Sequence, residues 1–179
     1  MSKTHHGIIV SMRITIIGNT SSGKSILAKK ISEQLHIPYL QIDRYWLEAG
    51  GHKVKGSGPD KEKIQAYVKE KVQKFIEQDS WVSDGWYSKI QPLIADRADT
   101  IVFLDIPLWR RLLNHLVRMF GERHRELNRW DDIKFFYEIV RRQFSHDPRI
   151  RAFTKIYTDK VVTLHSYKEV KSFLLKLQK

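Results

Sequence analysis

Five short apolar runs are spaced along the chain, and longer segments with apolar positions three or four residues apart separate them. The runs are typical of buried parallel strands; they read RITIIG, IPYLQID, WVSDG, TIVFLD and KVVTLHS. The separating segments have the periodicity of amphipathic helices. Strands that alternate with helices predict an α/β domain with a parallel sheet and helices on both of its faces.

Each helical segment has an apolar face that we expect to be buried. The first two faces are Leu27, Ala28, Ile31 and Leu35, and then Ile64, Tyr67, Val68, Val72, Phe75 and Ile76. Asp60, after a glycine-rich loop, is expected to cap the second of these helices. Pro107 opens a helix whose inner stripe is Leu108, Leu112, Leu113, Leu116, Val117 and Phe120. After a polar break, a further helix should bury Ile133, Phe136, Tyr137, Val140 and Phe144.

Length and composition set the broad class. A chain of 179 residues predicts one domain, and the segmentation suggests a flexible leader at 1–11 and a folded domain at 12–179. The chain has no cysteine, which fits the reducing cytosol and a cytoplasmic protein. No apolar run approaches the ~20 residues that cross a bilayer, and the first residues do not resemble a signal peptide. The net charge of +12 favours polyanionic partners such as nucleotides or nucleic acid, although charge alone names none.

One motif carries specific chemistry. The stretch GNTSSGKS, residues 18–25, fits G-x-x-x-x-G-K-[ST] and lies between a predicted strand and a predicted helix. Glycine lets such a loop wrap its N–H groups around phosphate, and the helix N-terminus adds partial positive charge. Lys24 is then expected to reach the β- and γ-phosphates, and the Ser25 hydroxyl to bind magnesium. The expected nucleotide-binding residues are Gly18, Asn19, Ser21, Ser22, Gly23, Lys24, Ser25 and Ile26.

The motif order resembles the adenylate-kinase-like branch of P-loop kinases, and most of all the bacterial DNA topology modulation proteins, also called FlaR-like. The segments that carry this resemblance, beside the phosphate loop, are QIDRYW, WVSDGWYS, TIVFLDIP, an arginine-rich segment and VVTLHSYKEV. The resemblance implies a three-layer P-loop NTPase fold with a five-stranded parallel sheet in the order 2-3-1-4-5. It also implies an arginine-rich helical lid at roughly 118–151, and ATP and Mg²⁺ as ligands.

Three carboxylates follow predicted strands. The resemblance implies that Asp84 holds magnesium through water, whereas the alternative is a turn-forming Asp-Gly pair. Asp105 is either a second magnesium carboxylate or, as we favour, a helix cap. Asp43 ends the second strand, at the sheet edge where ligands bind. If the acceptor is a hydroxyl, Asp43 is a candidate general base or a ligand in the metal shell. If the acceptor is a phosphate, it only positions the substrate, and the remaining alternative is a surface carboxylate in a turn.

The segment 108–151 is rich in arginine, with ten arginines and one lysine against six carboxylates. Arginine binds phosphate through paired hydrogen bonds, as a kinase lid requires. By the resemblance, Arg118 matches a lid-helix arginine, and Arg123, Arg125 and Arg129 lie in the polar break. We expect Arg118, Arg123 and Arg125, with Lys24 and Asp43, to be catalytic.

Two positions depart from the adenylate kinase pattern. Ser88 and Asn114 stand where that family has arginines, which weakens AMP as the acceptor and leaves open a loss of catalysis. Trp46, Trp86 and Tyr87 follow strands two and three, where they would stack on a base or simply be buried. Ser166 and Glu169 read as a capping box, and Tyr167 lies where this fold holds the base of ATP.

Two functions follow from these observations. The first is an ATP-dependent phosphotransferase that acts on a nucleotide, a nucleoside or a similar small acceptor. The second is an ATP-binding, nucleic-acid-associated regulator, which the family name and the basic charge suggest, although no DNA-binding module is recognisable. A guanine-reading N-K-x-D motif does not follow the predicted strands, which disfavours a GTPase. The oligomeric state is left open.

Overall fold

The computed structural model describes residues 11–54, 58–120 and 129–177. Within these ranges the strands are β1 (Arg13–Gly18), β2 (Tyr39–Gln41), β3 (Trp81–Asp84), β4 (Thr100–Leu104) and β5 (Val161–Leu164). The helices are α1 (Lys24–Leu35), α2 (Ile42–Glu48), α3 (Pro59–Phe75), α4 (Gln91–Arg97), α5 (Leu108–Phe120), α6 (Arg129–Ser145), α7 (Asp147–Thr154) and α8 (Tyr167–Lys176). A short 3-10 turn covers Gly51–Lys53.

The five strands form one parallel sheet in the order β2-β3-β1-β4-β5. This order confirms the fold that the sequence predicts. In the register of β1, Ile16 lies opposite both Asp84 of β3 and Val102 of β4. The carboxyl ends of β1 and β3 are therefore neighbours, and the residues that follow these strands meet at one edge of the sheet.

Two apolar layers cover the sheet. Successive side chains of a strand point to opposite faces, and accordingly Ile14 and Ile16 belong to one layer whereas Ile17 belongs to the other. The first layer includes Leu27, Ala28 and Ile31 of α1, as the first amphipathic pattern predicts. The second layer contains most of the core and receives α3, α4 and α7.

Near the second and third strands, short helices make the structure differ from the sequence prediction. Asp43 does not end β2, because the chain turns directly into α2 and Asp43 lies in the first turn of that helix. The N-cap of α3 is Gly58, and Pro59 is its first residue, so the expectation that Asp60 caps this helix is wrong. Three-residue strands and seven-residue helices are too short for a clear hydrophobic period, which is why α2 and α4 were not predicted.

The expected inner stripes of α5 and α6 are wrong in part. On α5 the buried side chains are the polar Arg111 and His115, whereas Leu113, Leu116 and Val117 are exposed. On α6 Ile139 is buried, whereas three of the aromatic side chains expected inside are exposed: Phe136, Tyr137 and Phe144. The physical reason is that α5 packs mainly on α6, and α6 on α5 and α7, so that neither covers much apolar sheet surface. The side chains of Ile133 and Phe120 lie outside the described residues.

Several expectations fall on parts of the chain that the structure does not describe. These are the leader, apart from Ser11, and the polar break that contains Arg123 and Arg125. For Arg118 and Arg129 only the backbone is described, within α5 and α6. In the described ranges, none of the helices combines the length and the apolar character that a membrane span needs.

Candidate active site

The phosphate-loop motif forms the turn between β1 and α1. Gly18 and Gly23 adopt φ angles of 149° and 93°, which side chains rarely allow, and Ser21 also has a positive φ of 62°. A Cβ atom on Gly18 would lie 2.8 Å from the carbonyl oxygen of Leu104. Helix α1 begins at Lys24, so its first N–H groups, which have no partner within the helix, face the loop.

Lys24 lies half-buried at the centre of this loop. Its Nζ donates a hydrogen bond to the carbonyl oxygen of Asn19 at 2.8 Å. Burial lowers the pKa of Lys24 from 10.5 to about 8, and the nearby carboxylates of Asp84 and Asp43 oppose that shift. The guanidinium groups of Arg111 and Arg142 lower this pKa further. The amine therefore lies where an additional anion would stabilise its charged form.

Asp84 is the last residue of β3 and lies beside Ser25, the last residue of the motif. The Ser25 hydroxyl donates to Asp84 Oδ2 at 2.5 Å, and the Tyr39 hydroxyl donates to Asp84 Oδ1 at 2.9 Å. Asp84 is only 3 % exposed. This burial raises its pKa, whereas the two hydrogen bonds and Lys24 oppose the rise. Tyr39 was not predicted as a site residue, since it lies in a three-residue strand with no motif around it.

Asp43 lies in the same cleft. The hydroxyl of Tyr87 donates to Asp43 Oδ1 at 2.7 Å. Burial and the neighbouring Asp43 carboxylate raise the pKa of Tyr87 well above its usual range. The Trp46 ring packs on Tyr87 with 5.7 Å between ring centroids. Trp46 and Tyr87 thus form an aromatic wall of the cleft beside Asp43, whereas Trp86, which also lines the cleft, packs on Phe153.

Side chains of α5 and α6 contact the loop from the other side. Arg111 is 1 % exposed and donates to the carbonyl oxygens of Ile106 at 3.1 Å and Thr20 at 3.5 Å. The guanidinium of Arg142 donates to Thr20 Oγ1 at 3.2 Å. The arginine-rich composition pointed to this region, but nothing in the sequence distinguished Arg111 and Arg142 from the other eight arginines.

Asn114, which stands where adenylate kinases have an arginine, binds the main chain of the loop. Its Nδ2 donates to the carbonyl oxygen of Ser21 at 2.9 Å and also to the hydroxyl of Tyr167. The Tyr167 hydroxyl in turn donates to the carbonyl oxygen of Ser22 at 3.4 Å. The predicted capping box at the start of α8, with Ser166 bonded to the N–H of Glu169, places Tyr167 here.

A cleft of about 1390 Å³ joins these groups. Its lining includes the loop residues 19–26, Asp43, Asp84 and the aromatic wall, together with Ser88, Arg142 and Arg149. Ile26 is 67 % exposed and lies at the cleft's rim. Asp105 does not line the cleft: it pairs with Arg151 at 2.6 Å and lies 3.3 Å from His165. Among the described residues no cluster of three or more His, Asp or Glu side chains has the arrangement of a metal site.

Two of the solved structures that this chain resembles are shikimate kinases. The chain superimposes on shikimate kinase from Bacteroides thetaiotaomicron with a TM-score of 0.54 at 17 % identity, over 93 % of this chain and 96 % of that one. Shikimate kinase from Aquifex aeolicus gives a TM-score of 0.50 at 26 % identity over the same shares of the two chains. TT1252 from Thermus thermophilus gives 0.56 at 18 % identity, over 93 % and 95 %.

These similarities show that the chain has a P-loop kinase fold, and they extend over nearly its whole length. No protein-family model matches the sequence, and no curated protein matches it. The resemblance to the FlaR-like proteins therefore stays a prediction, as do the roles of the individual site residues.

Proposed function

We propose that this protein is a magnesium-dependent kinase that transfers the γ-phosphoryl group of ATP to a small-molecule acceptor. The observation that carries the proposal is the grouping of Lys24, Ser25 and Asp84 at the phosphate loop, within a cleft that continues to Asp43. Lys24 and Ser25 belong to the loop, and Asp84, at the end of β3, accepts from the Ser25 hydroxyl. The cleft of about 1390 Å³ extends from these groups to Asp43.

The loop fits a chain of phosphates. The Ser22 hydroxyl is fully buried and has no hydrogen-bond partner among the described residues, so it is available to donate to an anion. Gly18 and Gly23, both at positive φ angles, allow the tight turns by which the loop would wrap its N–H groups around a phosphate. Lys24 would exchange the carbonyl of Asn19 for phosphate oxygens and neutralise charge that develops during transfer.

Ser25 and Asp84 are the residues that would hold magnesium, and they fit it in chemistry because both are oxygen ligands beside the phosphate site. Bound there, the ion would neutralise phosphate charge. Asp84 is positioned for this by Tyr39, which binds the oxygen that Ser25 does not use. With few protein ligands, the remaining positions would be filled by phosphate oxygens and water.

Asp43 favours a hydroxyl as the acceptor. A carboxylate inside the cleft repels a phosphate acceptor, and Ser88 provides no positive charge to offset it. A hydroxyl, in contrast, can donate its proton to Asp43 Oδ2 while Tyr87 holds Oδ1. The ring faces of Trp46 and Tyr87 would pack on a base or a sugar. A nucleoside or a similar ring-bearing alcohol therefore fits better than AMP.

The lid is part of the same proposal. Arg142 lies over Thr20 in the cleft and would spread the charge of the transferring group. Arg118, Arg123 and Arg125 are proposed to join it from the segment 118–151, which we assign as a lid within the domain 12–179. The resemblance to the FlaR-like proteins supports nucleotide binding. The alternative to the kinase proposal is an ATP-binding regulator that associates with DNA.

An acceptor panel tests the proposal. Purified protein with Mg·ATP is incubated with nucleosides, nucleotides and hydroxyl-bearing metabolites, and ADP formation is measured. We expect one hydroxyl acceptor to stimulate turnover. Lys24→Ala should lower kcat with that acceptor by ~10²-fold or more, and Asp43→Asn by ~10²–10⁴-fold.

Lys29→Ala is the matched control, because it removes a lysine of the same helix that is exposed and forms only a surface pair with Glu33. It should leave turnover unchanged. Duplex DNA added to the assay should have no effect. The kinase proposal is wrong if no acceptor stimulates turnover while duplex DNA binds with a steep salt dependence.

A further inference from the structure

The phosphate loop is bonded to the junction between α6 and α7 through one buried side chain. Asn19 is 4 % exposed, and its Nδ2 donates to Asp147 Oδ1 at 2.5 Å and to the carbonyl oxygen of Arg142 at 2.9 Å. Its Oδ1 accepts from the N–H of Thr20 at 2.7 Å. The Asn19 side-chain oxygen is therefore bonded within the loop, and its side-chain nitrogen is bonded to the helices.

Asp147 also reaches the loop by a second route. Its Oδ2 lies 3.6 Å from Nη2 of Arg111, a guanidinium that is almost fully buried. Arg111 donates in turn to the carbonyl oxygen of Thr20. Asp147 is itself 8 % exposed. A buried, fully bonded network of this kind is rigid, because breaking one bond leaves polar groups without partners in a low-dielectric environment.

The same hydrogen bonds connect Lys24 and Arg142, the two residues that we propose to bind the phosphates. The carbonyl oxygen of Asn19 accepts from Lys24, and the carbonyl oxygen of Arg142 accepts from the Asn19 side chain. The guanidinium of Arg142 binds Thr20, the next residue of the loop. A shift of the α6–α7 junction relative to Asn19 would thus change the distance between Lys24 and Arg142.

We propose that Asp147 is a positioning residue: through Asn19 it holds the phosphate loop and the α6–α7 junction in one arrangement, and so couples nucleotide binding to the position of Arg142. This inference rests on the proposed function. When Lys24 moves from the carbonyl oxygen of Asn19 to a phosphate, the Asn19 side chain stays bound to Asp147. The position of the α6–α7 junction then depends on whether the loop has bound a nucleotide.

A double-mutant cycle tests the coupling. The affinity for a nonhydrolysable ATP analogue with Mg²⁺ is measured by calorimetry for the wild type, Asn19→Ala, Asp147→Ala and the double variant. We expect each single variant to bind about 10-fold more weakly, and the double variant to bind clearly less than 100-fold more weakly, because both substitutions remove the Asn19–Asp147 bond. Lys155→Ala is the control: it removes an exposed cation at the C-terminal end of α7 that lies outside both the cleft and the assigned lid, and affinity should be unchanged.

The possible results separate the two proposals. If the wild type binds the analogue but Asp147→Ala binds equally well, or if the two single effects multiply, the positioning role is wrong and the kinase proposal stands. If the wild type does not bind the analogue, both are wrong. A structural effect alone would lower the stability of Asp147→Ala without non-additivity in the binding constants.

A second measurement needs no substitution at Asp147, and it decides the matter if Asp147→Ala does not fold. Hydrogen exchange of the backbone over 142–150 is compared with and without saturating analogue in the wild type and in Asn19→Ala, which keeps the Arg111–Asp147 pair. We expect the analogue to slow exchange there about 3-fold or more in the wild type, and not in Asn19→Ala. Equal slowing in both proteins would overturn the inference.

Discussion

The Lys24 amine lies near two other cationic side chains, and its pKa is lowered. Burial and the guanidinium groups of Arg111 and Arg142 lower its pKa from 10.5 to about 8, although Asp84 and Asp43 lie near. Between these two pH values the unfolded chain binds a proton that the folded protein lacks. The free energy of unfolding contributed by Lys24 therefore rises with pH from about 8 to 10.5. Below pH 8 the charged amine destabilises the fold until an anion compensates it.

Phosphate binding should restore the proton on Lys24. At pH 9 the amine is mostly neutral in the free protein, and a bound triphosphate favours its charged form, so we expect uptake of about one proton per nucleotide. At pH 7 the amine is already charged and this uptake should be near zero. Calorimetric titrations with an ATP analogue in two buffers of different ionisation enthalpy measure it. Equal heats in both buffers at pH 9 would show that Lys24 does not meet the phosphates.

Helix α8 has a start that its own sequence specifies. The Ser166 side chain accepts from the N–H of Glu169 at 3.3 Å, and the Glu169 carboxylate accepts from the N–H of His165 at 2.9 Å. The Ser166–Glu169 bond is the one that the capping box HSYKE predicts, whereas the Glu169 carboxylate binds the N–H one residue before the N-cap. Its consequence extends to the site, because Tyr167 follows Ser166 directly and binds Asn114 and the loop.

Removing this cap should cost stability. Ser166→Ala is expected to lower the free energy of unfolding by about 1 kcal/mol, since one N–H at the start of α8 loses its acceptor. Urea denaturation measures the change. Lys168→Ala, at an exposed position of the same helix, should alter stability by less than ~0.5 kcal/mol. Equal stability of Ser166→Ala and the wild type would mean that water replaces the cap without cost.

The spacing of apolar residues predicts the buried faces correctly where an element packs against the sheet, and poorly elsewhere. Strands β1 and β4 carry long β-branched runs and were correctly predicted. The buried face of α5 was not, because Arg111 and His115 are polar and lie inside only as partners of specific groups. Burial of an arginine depends on carbonyl and carboxylate oxygens from distant segments. The periodicity of apolar residues in the sequence contains no information about these partners.

At the scale of the whole molecule, the site joins residues that are far apart in the chain. Residues 18–25 were identified from sequence because the motif is local. The contacts of Tyr39 with Asp84, Arg111 with Thr20 and Asn19 with Asp147 span 45, 91 and 128 residues. Such pairs follow only from the strand order and the placement of the helices. The fold thus gives the phosphate loop its second set of contacts, which the motif does not contain.

A crystal structure with Mg²⁺ and a nonhydrolysable ATP analogue tests the central claim most directly, namely that the turn between β1 and α1 holds the triphosphate. The account predicts β- and γ-phosphate oxygens within about 3 Å of Lys24 Nζ, with Lys24 released from the carbonyl of Asn19 and the ion beside Ser25 and Asp84. An analogue bound elsewhere, with Lys24 still bonded to Asn19, would contradict it.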